Sequence, residues 1–291
     1  MNIPAESVKR LRERTGAGMM ECKKALVETA GDLDAAAELM RKSGLTKADK
    51  KAQRVAAEGC VAIERSARDA VLLEVNSETD FVARGEEFQS FARDLARLAL
   101  AAAPADLAAL LALPIDGVSA EERRRALVAK LGENISVRRF TRVRAPTALG
   151  TYAHGTRIGA LVCLQGGSEE LARDLAMHVV AANPAYLDAA GVPAEVLDRE
   201  RAILAEQASG ENKPAEILAK MVEGRLRKYL AEVTLLGQPF VKDPDHTVEH
   251  LLQKSAARVV QFVRYEVGAG IEKKQEDFVG EVMAQVAARA K

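Results

Sequence analysis

Apolar positions recur with two different periods along this chain, and the change of period marks its elements. In residues 1–54 the spacing is helical. Val8 and Leu11 give a first helix its inner face, and Met19, Cys22 and Leu26 fall on one side of a second. Leu33, Ala36, Ala37 and Met40 repeat the i, i+3, i+4, i+7 pattern of a third. Thr15-Gly16-Ala17-Gly18 separates the first two, because two glycines in four residues suit a tight corner. Asp32 or Asp34 can cap the third helix, and Gly44 can close it. The basic stretch Leu45–Arg54 then reads as a linker or an exposed helix.

From residue 59 the pattern shortens and becomes β-branched. GCVAIE and AVLLEVN, separated by RSARDA, predict a hairpin. A helix follows from about Phe88 to Ala102, ended by Pro104. DLAALLAL and SAEERRRALVAKL predict further helices, the latter opened by a Ser119–Glu122 capping box. ISVRRFTRVRA, LGTYAH and RIGALVCLQ return to strand. Residues 187–232 predict an antiparallel helical hairpin, with Gly210 stopping one helix and Pro214 starting the next. A short helix near Val248–Ser255, the strand ARVVQFVRYEVG and a last helix carrying Phe278, Val279, Val282, Met283 and Val286 complete the reading. The fold class is α+β: three helices at the front, antiparallel sheets behind them, an inserted helical hairpin and a C-terminal helix.

An internal repeat refines this picture. Ala92-Arg93-Asp94-Leu95-Ala96 recurs 80 residues later as Ala172-Arg173-Asp174-Leu175-Ala176, and a proline follows each at the same spacing, Pro104 and Pro184. Each copy follows an apolar strand, so two related strand-plus-helix halves are expected. From strand to pentapeptide takes 21 residues in the first copy (Val71 to Ala92) and 14 in the second (Ile158 to Ala172). The longer connection contains SETDFVARGEEF, and loops held by a rigid scaffold often carry function.

Composition narrows the function. The 291 residues include 42 Lys+Arg and 42 Asp+Glu, so no net charge favours a dedicated nucleic-acid site. Residues 1–54 are mildly basic, 12 Lys+Arg against 8 Asp+Glu, which suits an acidic protein surface or an occasional RNA contact. KADKKAQR lacks interleaved aromatics and reads as a solvated segment in preference to a phosphate binder. Cys22, Cys60 and Cys163 are far apart and have neither disulfide nor zinc spacing, which fits a reducing cytoplasm. Neither a signal peptide nor a bilayer-length apolar run is present. Phosphate-loop, dinucleotide and nucleophile-elbow motifs are missing, so no enzyme activity and no cofactor are expected. His246 and His250 read as an exposed structural pair and His178, in AMHVVAA, as a satisfied core histidine. Phe81 is the most informative residue. A Phe usually starts a core, but this one lies in the polar loop Asn76–Glu87 and is a candidate anchor for a partner's pocket.

Several segments together resemble the bacterial elongation factor Ts family. VKRLRERTGAGMMECKKAL and MRKSG resemble its first signature and LLEVNSETDFVAR its second. HGTRIGALV, AMHVVAANP, KMVEGRL, GQPFV and RYEVGAGIEK resemble its later segments. The resemblance implies a ubiquitin-associated-like head at 1–54, one core part at 55–145 and a second at 146–186 with 233–268. It implies a coiled-coil insertion at 187–232 and a C-terminal module at 269–291. It also implies guanine-nucleotide exchange on elongation factor Tu, with Thr79, Asp80, Phe81 and Val82 dislocating the partner's Mg²⁺. Met19, Met20, Lys23, Lys51 and His154 are implied as partner contacts. Each has a plain alternative: Met19 as core, the lysines as solvated charges, His154 as a turn residue. The hairpin is able to form a homodimer or to fold on itself alone.

Overall fold

The computed structural model describes residues 3–210 and 214–272, with the side chains of 45–50 left aside. Three helices open the chain: α1 (Ala5–Thr15), α2 (Met19–Glu28) and α3 (Leu33–Lys51). The hairpin β1 (Glu58–Arg65) and β2 (Asp69–Ser77) leads through the short α4 (Asp80–Arg84) into α5 (Glu86–Ala102). Next come α6 (Leu107–Ala112), β3 (Pro114–Ile115), β4 (Val118–Ser119), α7 (Ala120–Leu131) and β5 (Ile135–Arg144). The second half holds β6 (Ala148–His154), β7 (Ile158–Gln165) and α8 (Glu169–Ala182). It continues with α9 (Ala194–Ser209), α10 (Ala215–Val233), β8 (Pro239–Phe240), β9 (Asp243–Thr247), α11 (Val248–Lys254) and β10 (Arg258–Glu266). The fold is α+β, as the residue pattern implies. The expected last helix, with Phe278 to Val286, lies outside the described residues.

The two halves share one topology. The strand orders are β1-β2-β5 and β10-β7-β6, antiparallel throughout. In each, the second strand of a hairpin is central, a helix follows it, and a third strand returns to pair with it. The repeated pentapeptide buries the same positions, Ala92, Leu95 and Ala96 in α5 and Ala172, Leu175 and Ala176 in α8. Both helices end on a left-handed residue, Ala103 (φ 48°) and Asn183 (φ 48°), and the matching prolines then forbid continuation.

The layers run helix, sheet, sheet, helix. Val71, Leu73 and Val75 pack under α5, whereas Ala70 and Leu72 of the same strand face the second sheet with Leu149, Leu161 and Cys163. Ala160, Val162 and Leu164 pack under α8. Both faces of β2 and β7 are therefore covered, which is why these strands read as apolar runs without alternation. Gly150 lets α8 approach β6: an added Cβ would lie 2.0 Å from the Ala172 carbonyl.

Asp32 caps α3, its carboxylate accepting from the Asp34 and Ala35 amides at 2.8 and 3.0 Å. Gly44 does not close that helix, which continues to Lys51. The glycine instead admits α7, since a Cβ there would sit 3.1 Å from the Ala129 methyl. The Ser119–Glu122 capping box forms as read. Between α6 and α7 a small hairpin was not anticipated, although Asp116 and Gly117, both at positive φ, form the Asp-Gly turn that specifies one. Helices α9 and α10 close on each other through Leu204, Ala208, Val222 and Leu226.

Candidate protein-docking site

The connection after β2 carries the most exposed aromatic side chain found among the described residues. Phe81 is 85% exposed, on a five-residue helix too short to be stable alone. Thr79 caps that helix, its hydroxyl accepting from the Val82 amide at 3.4 Å. Val82 and Ala83 turn inward onto the α5 core, and Asp80 pairs with Arg84 at 2.9 Å along the outer face. The apolar ring is thus presented to solvent by a helix whose opposite side is anchored.

A second segment, between α7 and β5, holds the loop from below. Glu133 accepts from the Thr79 hydroxyl at 2.6 Å and from the Thr79 amide at 3.0 Å. Glu78 accepts from the Asn134 amide at 2.6 Å, and the Ser77 hydroxyl donates to the Thr79 carbonyl at 2.9 Å. Glu133, Asn134 and Glu78 escaped sequence reasoning. Two polar residues behind the helix-ending Gly132 mark a turn but do not name a partner more than fifty positions away.

The predicted contact residues gather partly around this loop. Met19 and Met20 are both exposed, at 60% and 76%. The expectation that Met19 shares an inner face with Cys22 and Leu26 is corrected. It opens α2 and projects past the head core, to which that helix contributes only from Cys22 onward. Lys130 lies against Gly16, just before these methionines, and its ammonium pairs with Glu87 in the first turn of α5. Lys23 is exposed on α2. Lys51 already donates to the Gly132 carbonyl at 2.6 Å, which ties α3 to the end of α7. His154 is exposed at the end of β6. The turn after it docks on β1: the Thr156 carbonyl accepts from the Val61 amide at 2.8 Å and Arg157 pairs with Glu58. Because Glu58 pairs with Ser77, that turn sits at the end of the sheet from which the Phe81 loop departs.

The chemistry elsewhere is structural. Burial pushes the Cys60 and Cys163 thiols up to about 12 and about 11, so they remain protonated near neutrality. His178 is buried, its Nδ1 accepting from the Val241 amide at 3.3 Å and its Nε2 meeting Gln238 Oε1 at 3.0 Å. Burial lowers its pKa, outweighing the Gln238 bond, so the core histidine is neutral. His246 and His250 stack at 4.6 Å on the surface, with Asp243 on His246. No group of three or more potential metal ligands occurs among the described residues. No helix among them is long and apolar enough to cross a membrane.

Comparison with known proteins gives this geometry its context. The family model described as elongation factor TS matches residues 78–269. The chain is 60% identical to the elongation factor Ts of Thioalkalivibrio sulfidiphilus over 98% of its own length and 99% of the relative's. It is 58% identical to that of Alkalilimnicola ehrlichii over 98% and 99%, and 54% to that of Idiomarina loihiensis over 100% of both. The chain therefore belongs to the elongation factor Ts family of translation factors.

Proposed function

We propose that this protein is the guanine-nucleotide exchange factor for elongation factor Tu, working in the cytoplasm. It binds the GDP form, displaces Mg²⁺ through Thr79–Val82, promotes GDP release and holds the nucleotide-free form until GTP binds. The observation that carries the reading is Phe81, an exposed aromatic on an anchored loop of a family member. Mg²⁺ on a nucleotide keeps several waters and few protein ligands, so a small shift of one ligating segment dislodges it. A Phe entering an apolar gap between partner helices contributes about 1.5–3 kcal/mol toward that shift. Asp80 lies beside it and acts on polar groups near the ion. Coupling is reciprocal, so a factor that weakens GDP binding is itself weakened by GDP to the same degree.

Met19, Met20 and Lys23 would meet the partner from the head and His154 from the second half, with Lys51 supporting the head where it joins α7. The α9–α10 hairpin would be a further docking element. A homodimer through it is the alternative, but its apolar seam is already filled from within. Stopped-flow release of fluorescent GDP from elongation factor Tu tests the reading across Mg²⁺ concentrations. Wild type accelerates release and Phe81→Ala loses most of that acceleration at saturation. Equal acceleration by the two would remove Phe81 as the wedge, and no acceleration by wild type would remove the function.

A further inference from the structure

We propose that Glu133 is a positioning residue for exchange, and that it sets the shape of the Phe81 loop before the partner arrives. The inference rests on the reading of Thr79–Val82 as the intruding element. Its geometric basis is separate. Both carboxylate oxygens of Glu133 are committed to one residue, Thr79, through the hydroxyl at 2.6 Å and the amide at 3.0 Å. The same hydroxyl must accept from Val82 to cap α4. By accepting the hydrogen bond from the hydroxyl, Glu133 points the oxygen's lone pairs toward Val82, so one carboxylate fixes both the place and the polarity of the cap. A five-residue helix has no intrinsic persistence, and its order is set by such end contacts.

The clamp is also joined to the head. Lys51 donates to the carbonyl of Gly132, immediately before Glu133. Asn134, immediately after it, donates through Nδ2 to the Arg54 carbonyl at 2.7 Å. Arg54 in turn reaches Glu78 at 3.5 Å. The segment 132–134 thus bonds on one side to the end of the head's last helix and on the other to the exchange loop. Met19–Met20 and Phe81 are presented by parts of the chain that this segment holds in register.

Pre-ordering acts on apparent affinity. If only a fraction of loops is competent, the concentration giving half-maximal release rises by the inverse of that fraction, while the maximal rate is retained. Removing the two charge-assisted bonds that Glu133 gives so short a helix lowers the competent fraction about tenfold. Glu133→Ala is therefore expected to raise the half-saturating concentration in GDP release about tenfold and to leave the maximal rate within about twofold. Amide hydrogen exchange of Val82 and Ala83 in the free protein should speed up by a similar factor, with the amides of Val71–Val75 unchanged. Glu133→Gln, which keeps an acceptor for one of the two bonds, should lie between. Thr79→Val would remove the Val82 cap together with the hydroxyl's bond to Glu133, so Glu133→Gln, which leaves that hydroxyl in place, serves if Glu133→Ala does not fold.

Unchanged protection at Val82, or faster exchange there with an unchanged half-saturating concentration, would overturn the positioning role. A fall in maximal rate at an unaltered half-saturating concentration would overturn it too. Failure of the underlying reading looks different: Phe81→Ala would then match wild type in both kinetic parameters, whatever the amides report.

Discussion

Glu74 allows a stability prediction with a defined sign in pH. Its side chain is wholly buried in β2, yet it carries a charge. It accepts from Arg139 Nε at 2.7 Å, Arg138 at 3.0 Å, the Gly268 amide at 2.9 Å and Asn76 Nδ2 at 3.2 Å. Burial by itself would raise its pKa, but the bonds from Gly268, Arg139 and Arg138 outweigh that and hold it below the usual carboxylate range. These partners lie on β2, β5 and the turn after β10, so the group joins the two halves. Arg139 also stacks over Tyr265 of β10, 4.1 Å from the ring centre. Glu74→Ala leaves two guanidinium groups without their anion. Breaking a fully buried pair costs about 3–5 kcal/mol, and because both arginines reach solvent a smaller cost, about 2–3 kcal/mol, applies here. Glu74→Gln keeps the shape, turns a donor toward donors and should cost about 1–3 kcal/mol. Urea unfolding at neutral pH with unchanged m-values reads both. A carboxylate with a lowered folded pKa stabilises fully above its unfolded value of about 4.3, and that stability is lost as pH falls through the folded value. The gap between wild type and Glu74→Gln must therefore persist from pH 7 to about 5 and close at lower pH. A gap under about 0.5 kcal/mol at pH 7, or one that stays constant down to acid unfolding, would refute the argument.

Three other outcomes follow from the same structure. Gly150→Ala should destabilise by about 3 kcal/mol or more, because its Cβ would strike backbone that cannot rotate away; a thermal midpoint within a degree of wild type would contradict the close approach of α8 to β6. His178 is neutral when folded and takes up a proton when unfolded, so stability should fall as pH drops below about 6.5. Urea midpoints at pH 7 and 5.5 should differ less for His178→Gln than for wild type. Met19→Ala with Met20→Ala should leave unfolding within about 0.5 kcal/mol of wild type, since both side chains face solvent, while a binding titration with elongation factor Tu shows weaker association.

What was legible in the sequence follows the range of the interactions concerned. Most helices announced themselves through caps and periodicity, down to the Ser119–Glu122 box, whereas the single turn α4 read as part of a polar loop. The strands β2 and β7 showed as apolar runs because both their faces are covered. Phe81 stood out because an aromatic among Ser, Glu, Thr and Asp has no local reason to be there. Gly44 was misread because a glycine at a helix end and one at a helix crossing look alike along the chain. Only Ala129 of α7, more than eighty residues away, distinguishes them. Met19 was misread because periodicity gives the face of a helix but not where the packed core begins along it. Glu133 left no trace, since its partner lies 54 residues earlier.

The repeat explains why the Phe81 loop stands where it does. Both halves run from a central strand into a helix at equivalent places. In the second half the connection is only 166–168. Gly166 and Gly167 have φ of 78° and 68°, and added Cβ atoms would lie 2.3 Å from the Ala256 carbonyl oxygen and 2.9 Å from the Ala257 methyl. That connection is pressed against its own domain and has no room to present a side chain. In the first half the connection is 78–85, long enough for one helical turn between strand and helix. A turn so short cannot hold itself, and the scaffold supplies what it lacks: a cap from Thr79, a floor from Val82 and Ala83, and a clamp from Glu133. Grafting Gly-Gly-Ser in place of 78–85 should therefore yield a folded protein with the second half's tight crossing and no exchange activity. If such a chain still released GDP at the wild-type rate, the work would lie in the head and the second half, and the exposed ring of Phe81 would need another explanation.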